Sequence, residues 1–386
     1  MNIKSLLLGS AAALVAVSGA RAADAVIAPE PEPVEYVRVC DVYGTSFYYI
    51  PGTEICLKVG GYFRYDIGYG DLFGDVGDEG DMTWHKRARF QLRMDARTET
   101  ELGTLRGYLA YNFNWQTVHE DTSDTVLVDI TGDGVPDPVQ IAGVTNFNAD
   151  DTVGVEHAYV ELAGFRIGVT DSLFSTLTGY ASDVVNDGLI NYGPFTTHQI
   201  AYTYDAGNGF SIAGALEEGS DNENFGEVIN DYAPHVVLGG AYSGGLFGVS
   251  VVGGWDSNES EFSVKGRIDV NPTDTIALFV MGAWSDVDNC DDSDCDSEGN
   301  YYAQWGGDWG LWAGGSARFN DRVKANIEFG YNELSDWSID GDVNLTVVPN
   351  FVLTPGVGFR HGDGDPLSPY AEGDNWGGYV RTQFTF

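Results

Sequence analysis

From Leu57 onward, apolar and polar side chains take turns along the chain. In 57–69, Leu57, Val59, Gly61, Phe63, Tyr65, Ile67 and Tyr69 oppose Lys58, Tyr62, Arg64 and Asp66. In 87–97, Arg87, Arg89, Gln91, Arg93, Asp95 and Arg97 oppose Ala88, Phe90, Leu92, Met94 and Ala96. A period of two describes a strand with unlike faces. At a period of 3.6 the arginines of 87–97 scatter around the wheel, so a basic amphipathic helix fits worse. The alternation recurs in 104–115, 262–270, 323–331 and 338–347. It closes the chain with Trp376, Val380, Phe384 and Phe386 set against Arg381 and Gln383.

The joints between these segments alternate too. Seven are short and turn-rich, such as "LAG", "DAGNG", "SGGL" and "VPN". Eight are long, acidic and glycine-rich, at roughly 70–83, 116–151, 171–196, 217–234, 255–260, 285–308, 332–337 and 361–374. Fifteen joints make sixteen strands of about ten residues each. A soluble sandwich has no reason to place every long loop at one end. An outer-membrane barrel does, with short turns facing the periplasm and long loops outside, and its strand number is even. Hydrocarbon demands that every backbone group be paired, which a closed barrel achieves. The apolar faces then meet lipid. A barrel this wide cannot be filled by side chains, so its polar faces line water, where arginines are comfortable. Tyr65, Tyr69, Trp84, Trp115, Trp255, Trp284, Trp376, Phe384 and Phe386 fall near strand ends, as aromatic girdles would.

Residues 1–22 carry the marks of a secretory signal: Lys4, an apolar run from Leu6 to Val17, and Ala20-Arg21-Ala22 at the cleavage site. That run is too short for a membrane helix, and no later stretch approaches one. Residues 23–56 are expected to form a periplasmic arm, extended through "APEPEP", and 57–386 the barrel. The formal net charge of −39 argues against nucleic acid, which needs basic patches. Fifty-one glycines and 50 aromatic residues, without helical patterning, favour many strands.

Four cysteines in an exported chain allow two disulfides. Local pairing of Cys40 with Cys56 and of Cys290 with Cys295 is the simplest of three connectivities. The acids of "CDDSDC" disfavour thiolates, so a metal there is not expected. No cofactor is expected elsewhere except a weak calcium candidate in "DITGDGVPDPVQ". It sets Asp129, Thr131, Asp133 and Asp137 at loop-ligand spacing but has Gln140 where a bidentate acid belongs. Catalysis is not expected. There is no G-x-S-x-G, and "GVGFRH" lacks the third glycine of a dinucleotide fingerprint.

Several stretches together, among them "CDVYGTSFYYIPGTEICLKVGGYFRYD", "LTGYASDVVNDGLI", "YYAQWGGDWGLWAGG" and "NWGGYVRTQFTF", resemble the general porins of Rhizobiales alphaproteobacteria. The resemblance runs from the signal to Phe386, sparing mainly the long loops. It implies a homotrimer of sixteen-stranded barrels that pass small hydrophilic solutes by diffusion. It also implies that the third long loop, 171–196, folds inward and narrows the barrel. Its acids Asp171, Asp183 and Asp187 are then expected to face Lys58, Arg64, Arg87, Arg89, Arg93 and Arg106 across an electric constriction. Some of these arginines are expected instead to pair with wall acids such as Asp66 or Asp95. Phe386, Phe384 and Val380 match the terminal signal read by the barrel assembly machinery. The start at Ala23 resembles barrels joined covalently to peptidoglycan. From charge alone, the acidic loops could hold divalent ions that bridge lipopolysaccharide. Acidic mouths concentrate cations while the basic wall opposes them, so a weak cation preference is expected. The rival readings are a secreted calcium-dependent β-rich binding protein, an outer-membrane barrel enzyme and a substrate-specific channel. The first would bury its apolar faces in a closed core, the second would need a serine–histidine pair on the wall, and the third an aromatic ladder in the lumen.

Overall fold

The structure, a computed structural model, describes residues 38–76, 82–128, 137–219, 228–229, 232–286 and 299–386. Sixteen antiparallel strands close on themselves. The first four are β1 (Cys56–Gly70), β2 (His85–Thr100), β3 (Gly103–Val128) and β4 (Asp137–Leu162). They are followed by β5 (Phe165–Asp171), β6 (Thr196–Asp205), β7 (Phe210–Glu217) and β8 (His235–Ser243). The second half runs through β9 (Phe247–Trp255), β10 (Phe262–Thr273), β11 (Ile276–Ser285) and β12 (Trp309–Asn320). It ends with β13 (Val323–Asn332), β14 (Trp337–Val348), β15 (Phe351–Gly362) and β16 (Gly373–Thr385). Each strand pairs with its sequence neighbours, and β16 pairs back onto β1 from Gly377↔Gly70 to Thr385↔Tyr62. No barrel edge is left open, the condition hydrocarbon imposes on a sheet.

The seam is finished by the last residue. Phe386 and Gly61 exchange backbone hydrogen bonds, 3.1 Å in each direction. Gly61 has φ +153°, and a Cβ there would collide with the Gln91 carbonyl on β2. Only glycine lets three segments of the barrel wall meet so closely. At the other joints the short turns gather at one end. Ala163 and Gly164, both with positive φ, form the tight turn between β4 and β5.

Register sorts the faces. Lys58, Tyr62, Arg64 and Asp66 of β1 oppose odd-numbered residues of β2, and these oppose Arg106, Asn112, Asn114 and Gln116 of β3. The other face is apolar and exposed, for example Phe63, Phe113, Ile167, Val251, Val280 and Val357. A soluble module would bury these side chains, whereas a lipid-wrapped barrel leaves them outside.

Two features differ from the sequence reading. The stretch 116–151, read as an acidic loop, is mostly strand. β3 and β4 are 26 residues each and pair from Arg106↔Glu161 to Val128↔Asp137. The acids suggested a loop, yet threonine and valine fill this stretch and favour extended backbone. About 9–11 residues cross a membrane, so this hairpin rises well beyond the span. The second difference is inside. The lumen is not lined by water-facing polar residues all round. Phe174, Ile190, Tyr192, Tyr301, Tyr302, Trp305 and Trp312 form a dry aromatic body against the small inner residues Ala201, Ala213, Ala215, Val237 and Val252. Loops enter the barrel where the wall's own side chains are short.

Before β1, the chain folds into a small knot. Cys40 and Cys56 are disulfide-bonded, and Phe47 forms a small buried cluster with them. Tyr48–Tyr49 pairs with Leu57 and Cys56. Phe47 also lies 5.2 Å from the Arg97 guanidinium and 5.9 Å from the Lys58 ammonium, so the knot rests against the charged inner face. Cys290 and Cys295 lie outside the described residues, as do Ala23 and the signal segment.

Candidate functional site

The third long loop enters the barrel after β5. Its first turn, α1 (Leu173–Thr176), is capped by the Ser172 hydroxyl, which accepts from the Phe174 amide at 3.1 Å. The buried Glu217 carboxylate of β7 accepts from Ser172 Oγ and the Leu173 amide, both at 2.7 Å, and from the Tyr302 hydroxyl at 3.1 Å. Farther along, wall side chains hold the loop's carbonyls. Lys265 of β10, fully buried, donates to the Tyr192 carbonyl at 2.6 Å, and the Trp312 indole of β12 donates to the Ile190 carbonyl at 2.9 Å. Arg267 of β10 donates to the Tyr180 carbonyl. At the tip, the Val185 amide donates to Asp342 of β14 at 2.8 Å. The loop therefore crosses from β5 to β14.

The aromatic body steadies it. Tyr302 lies over Gly254 of β9, where a Cβ would come within 2.7 Å of the ring. Phe174 packs on Tyr302 at 5.0 Å, and Trp305 meets Trp312 edge to face at 6.0 Å. Burying such rings contributes roughly 1.5–3 kcal/mol each.

Opposite the tip stands the basic wall. A cavity of about 320 Å³ separates Val185 and Asn186 from Asp66, Arg87, Tyr379 and Arg381. On the far side of the loop a second cavity, about 240 Å³, lies between Tyr180 or Asp183 and Arg267, Asp269 and Phe279. The wall arginines fall into two sets. The first holds carboxylates. Arg87 and Arg381 share Asp66, at 2.8 and 2.7 Å. Arg97 and Arg106 share Asp95, at 2.7 and 3.0 Å, and Arg106 continues to Glu161 at 2.8 Å, which also binds Arg166. The second set makes no ion pair among the described residues. Arg64 donates to Gln383 at 2.9 Å, Arg89 to Asn114 at 2.7 Å, and Arg93 to Gln91.

All six basic residues expected from the sequence share the inner face of β1–β3. Two of the loop's three acids have partners nearby in sequence and the third has one on the wall. Asp171 accepts from Tyr180 at 2.5 Å, Asp187 accepts from Tyr192 at 2.7 Å, and Asp183 pairs with Lys324 of β13 at 2.5 Å. Burial first, and then neighbouring Asp183, pushes the Asp187 carboxyl up to about 6. Burial and Asp171 raise the Tyr180 hydroxyl above its ordinary range. Phe384 and Phe386 point outward, 6.5 Å apart, and Phe386 stacks on Phe90 at 6.3 Å. Asp129, Thr131 and Asp133 lie outside the described residues, and Asp137 opens β4.

Parity alone missed other members. A bulge between Ala110↔His157 and Tyr111↔Val155 turns Glu156 inward, where it accepts from Asn112 at 2.8 Å and from Gln91. Arg381 was readable as a polar-face residue, but its place beside Asp66 depends on barrel closure. Glu217 carried no signal beyond its charge.

Comparison with known proteins gives one answer. The family model described as a porin subfamily matches residues 24–384. Porin Omp2a of Brucella melitensis biotype 1 is 41% identical over 387 residues, spanning all of both chains. Porin Omp2b of the same organism is 42% identical over 392 residues, again spanning both. Among solved structures, the outer membrane channel DcaP of Acinetobacter baumannii superimposes with a TM-score of 0.61 at 15% identity, covering 88% of this chain and 99% of that one.

Proposed function

The chain belongs to the porin family, and from that premise we propose that it is a general diffusion porin of the outer membrane, a water-filled channel for small hydrophilic solutes and ions. One observation carries this reading: a closed sixteen-stranded barrel keeps arginines and carboxylates on its inner face and bare aromatic and aliphatic side chains on its outer face. Transport is passive and no bond is made or broken. Permeants pass between the uncharged loop tip at Val185–Asn186 and the charged wall at Asp66, Arg87 and Arg381, which orders water and selects by size and dipole. The export signal in 1–22 supports delivery through the inner membrane, and the family supports a homotrimer. Phe386, packed on Phe63 and Phe90, is suited to presenting a terminal aromatic to the assembly machinery. The net charge of −39 supports a weak preference for cations.

Purified protein in planar bilayers tests this, run beside a gel of boiled and unboiled samples. The expected result is stepwise openings in triplets and a heat-labile trimer, with a reversal potential of cation sign in a KCl gradient. Absence of conductance from heat-modifiable, folded protein overturns the channel reading. An anion-sign potential overturns only the preference.

A further inference from the structure

The two sets of wall arginines differ in what their terminal nitrogens do. In the paired set, the Nη groups of Arg87, Arg97, Arg106 and Arg381 sit on carboxylates. In the second set only Nε is engaged, and by an amide oxygen in each case. The Nη forks of Arg64, Arg89 and Arg93 have no acceptor among the described residues. Two of them flank one ring: the Arg64 guanidinium lies 4.3 Å and that of Arg93 5.4 Å from the centre of the buried Tyr62. Arg64 and Arg89 are direct cross-strand partners. Like charges in that relation repel. The nearby acid, Glu156, is satisfied by Asn112 and Gln91 rather than by an arginine.

We propose that Arg64, Arg89 and Arg93 form a transit-binding site for small phosphate-bearing solutes. The proposal rests on the channel reading above and adds a solute class to it. A guanidinium fork matches two oxygens of a phosphate, and three unfilled forks on one wall offer more donors than chloride can use. The Nε–amide bonds pre-orient the forks without neutralising them. A phosphate group held there relieves the Arg64–Arg89 repulsion. Because the forks stay open to the lumen, the hold is brief, which passage requires.

The test is block of single channels by inorganic pyrophosphate, using the full protein in bilayers at about 0.1 M KCl, where screening acts over roughly 10 Å. Concentration-dependent block of the wild type is expected in the millimolar range. The Arg64→Gln/Arg93→Gln double variant should raise the half-blocking concentration about tenfold or more. Arg318→Gln, at the turn end of β12, should leave it unchanged. If the double variant does not assemble, Arg89→Gln carries the same expectation at about threefold. A wild type that is not blocked, or equal block in all variants, overturns the site. Stepwise KCl conductance persisting in those same records leaves the channel reading standing.

Discussion

Glu217, on the barrel wall, accepts the Ser172 hydroxyl at 2.7 Å at the point where the constricting loop begins. One carboxylate thus sets the loop's entry angle, since it also takes the Leu173 amide. Replacing Glu217 by alanine strands these two donors and the Tyr302 hydroxyl in a buried place and costs about 3 kcal/mol. The expected outcome is an intact barrel with a loosened loop: noisier single-channel current, and cleavage within 171–196 by a protease that spares the wild type. A variant with unchanged noise and protection would show that the aromatic body alone holds the loop.

Gly254 is the seat of Tyr302. Valine there suits a strand but drives the ring off the wall, with overpacking worth about 1–3 kcal/mol. The aromatic body shifts toward the lumen or is expelled from it. Either changes conductance, whereas valine at Gly245, in the turn after β8 where nothing lies within 4 Å, does not. Conductance histograms of the two variants make the comparison.

Asp187 sets a pH dependence. Its carboxyl is raised to about 6 in the half-buried loop, so ionisation is disfavoured in the folded state. The sign follows from proton binding. The group opposes folding above pH about 6, the penalty fades as pH falls through 6, and nothing further changes below its unfolded value of about 4. Thermal midpoints of the wild type should therefore drop relative to Asp187→Asn as pH rises from 5 to 7. Parallel curves would remove Asp187 as the cause.

Phe386 closes the seam through its backbone bonds to Gly61 and its stack on Phe90. Deleting it removes two ladder hydrogen bonds and a girdle contact. Assembly yield should fall several-fold, measured as the heat-modifiable fraction in membranes, while Phe386→Tyr restores it. Equal yields from the deletion would assign the terminal aromatic no role in closure.

The sequence already contained the architecture. Parity placed Arg87, Arg89, Arg93, Lys58, Arg64 and Arg106 on one face, because a strand's side chains alternate whatever surrounds them. The rhythm of short and long joints gave sixteen strands and, with parity, a wet interior and a greasy exterior. What parity cannot carry is distance across a closed cylinder. Asp66 meets Arg381, 315 residues later in the chain, only because β16 returns to β1. Glu156 faces inward only because a bulge breaks the alternation, and Thr117 to Val128 is strand only because β4 is there to pair with it. The dry body of Tyr302, Trp305 and Trp312 reads as loop in sequence. It becomes core because the alanines and glycines of β6–β9 leave room that no local pattern announces. Periodicity is a property of neighbours along the chain and was legible there. Which charges are neutralised and which stay open is a property of neighbours in space, and barrel closure alone decided it.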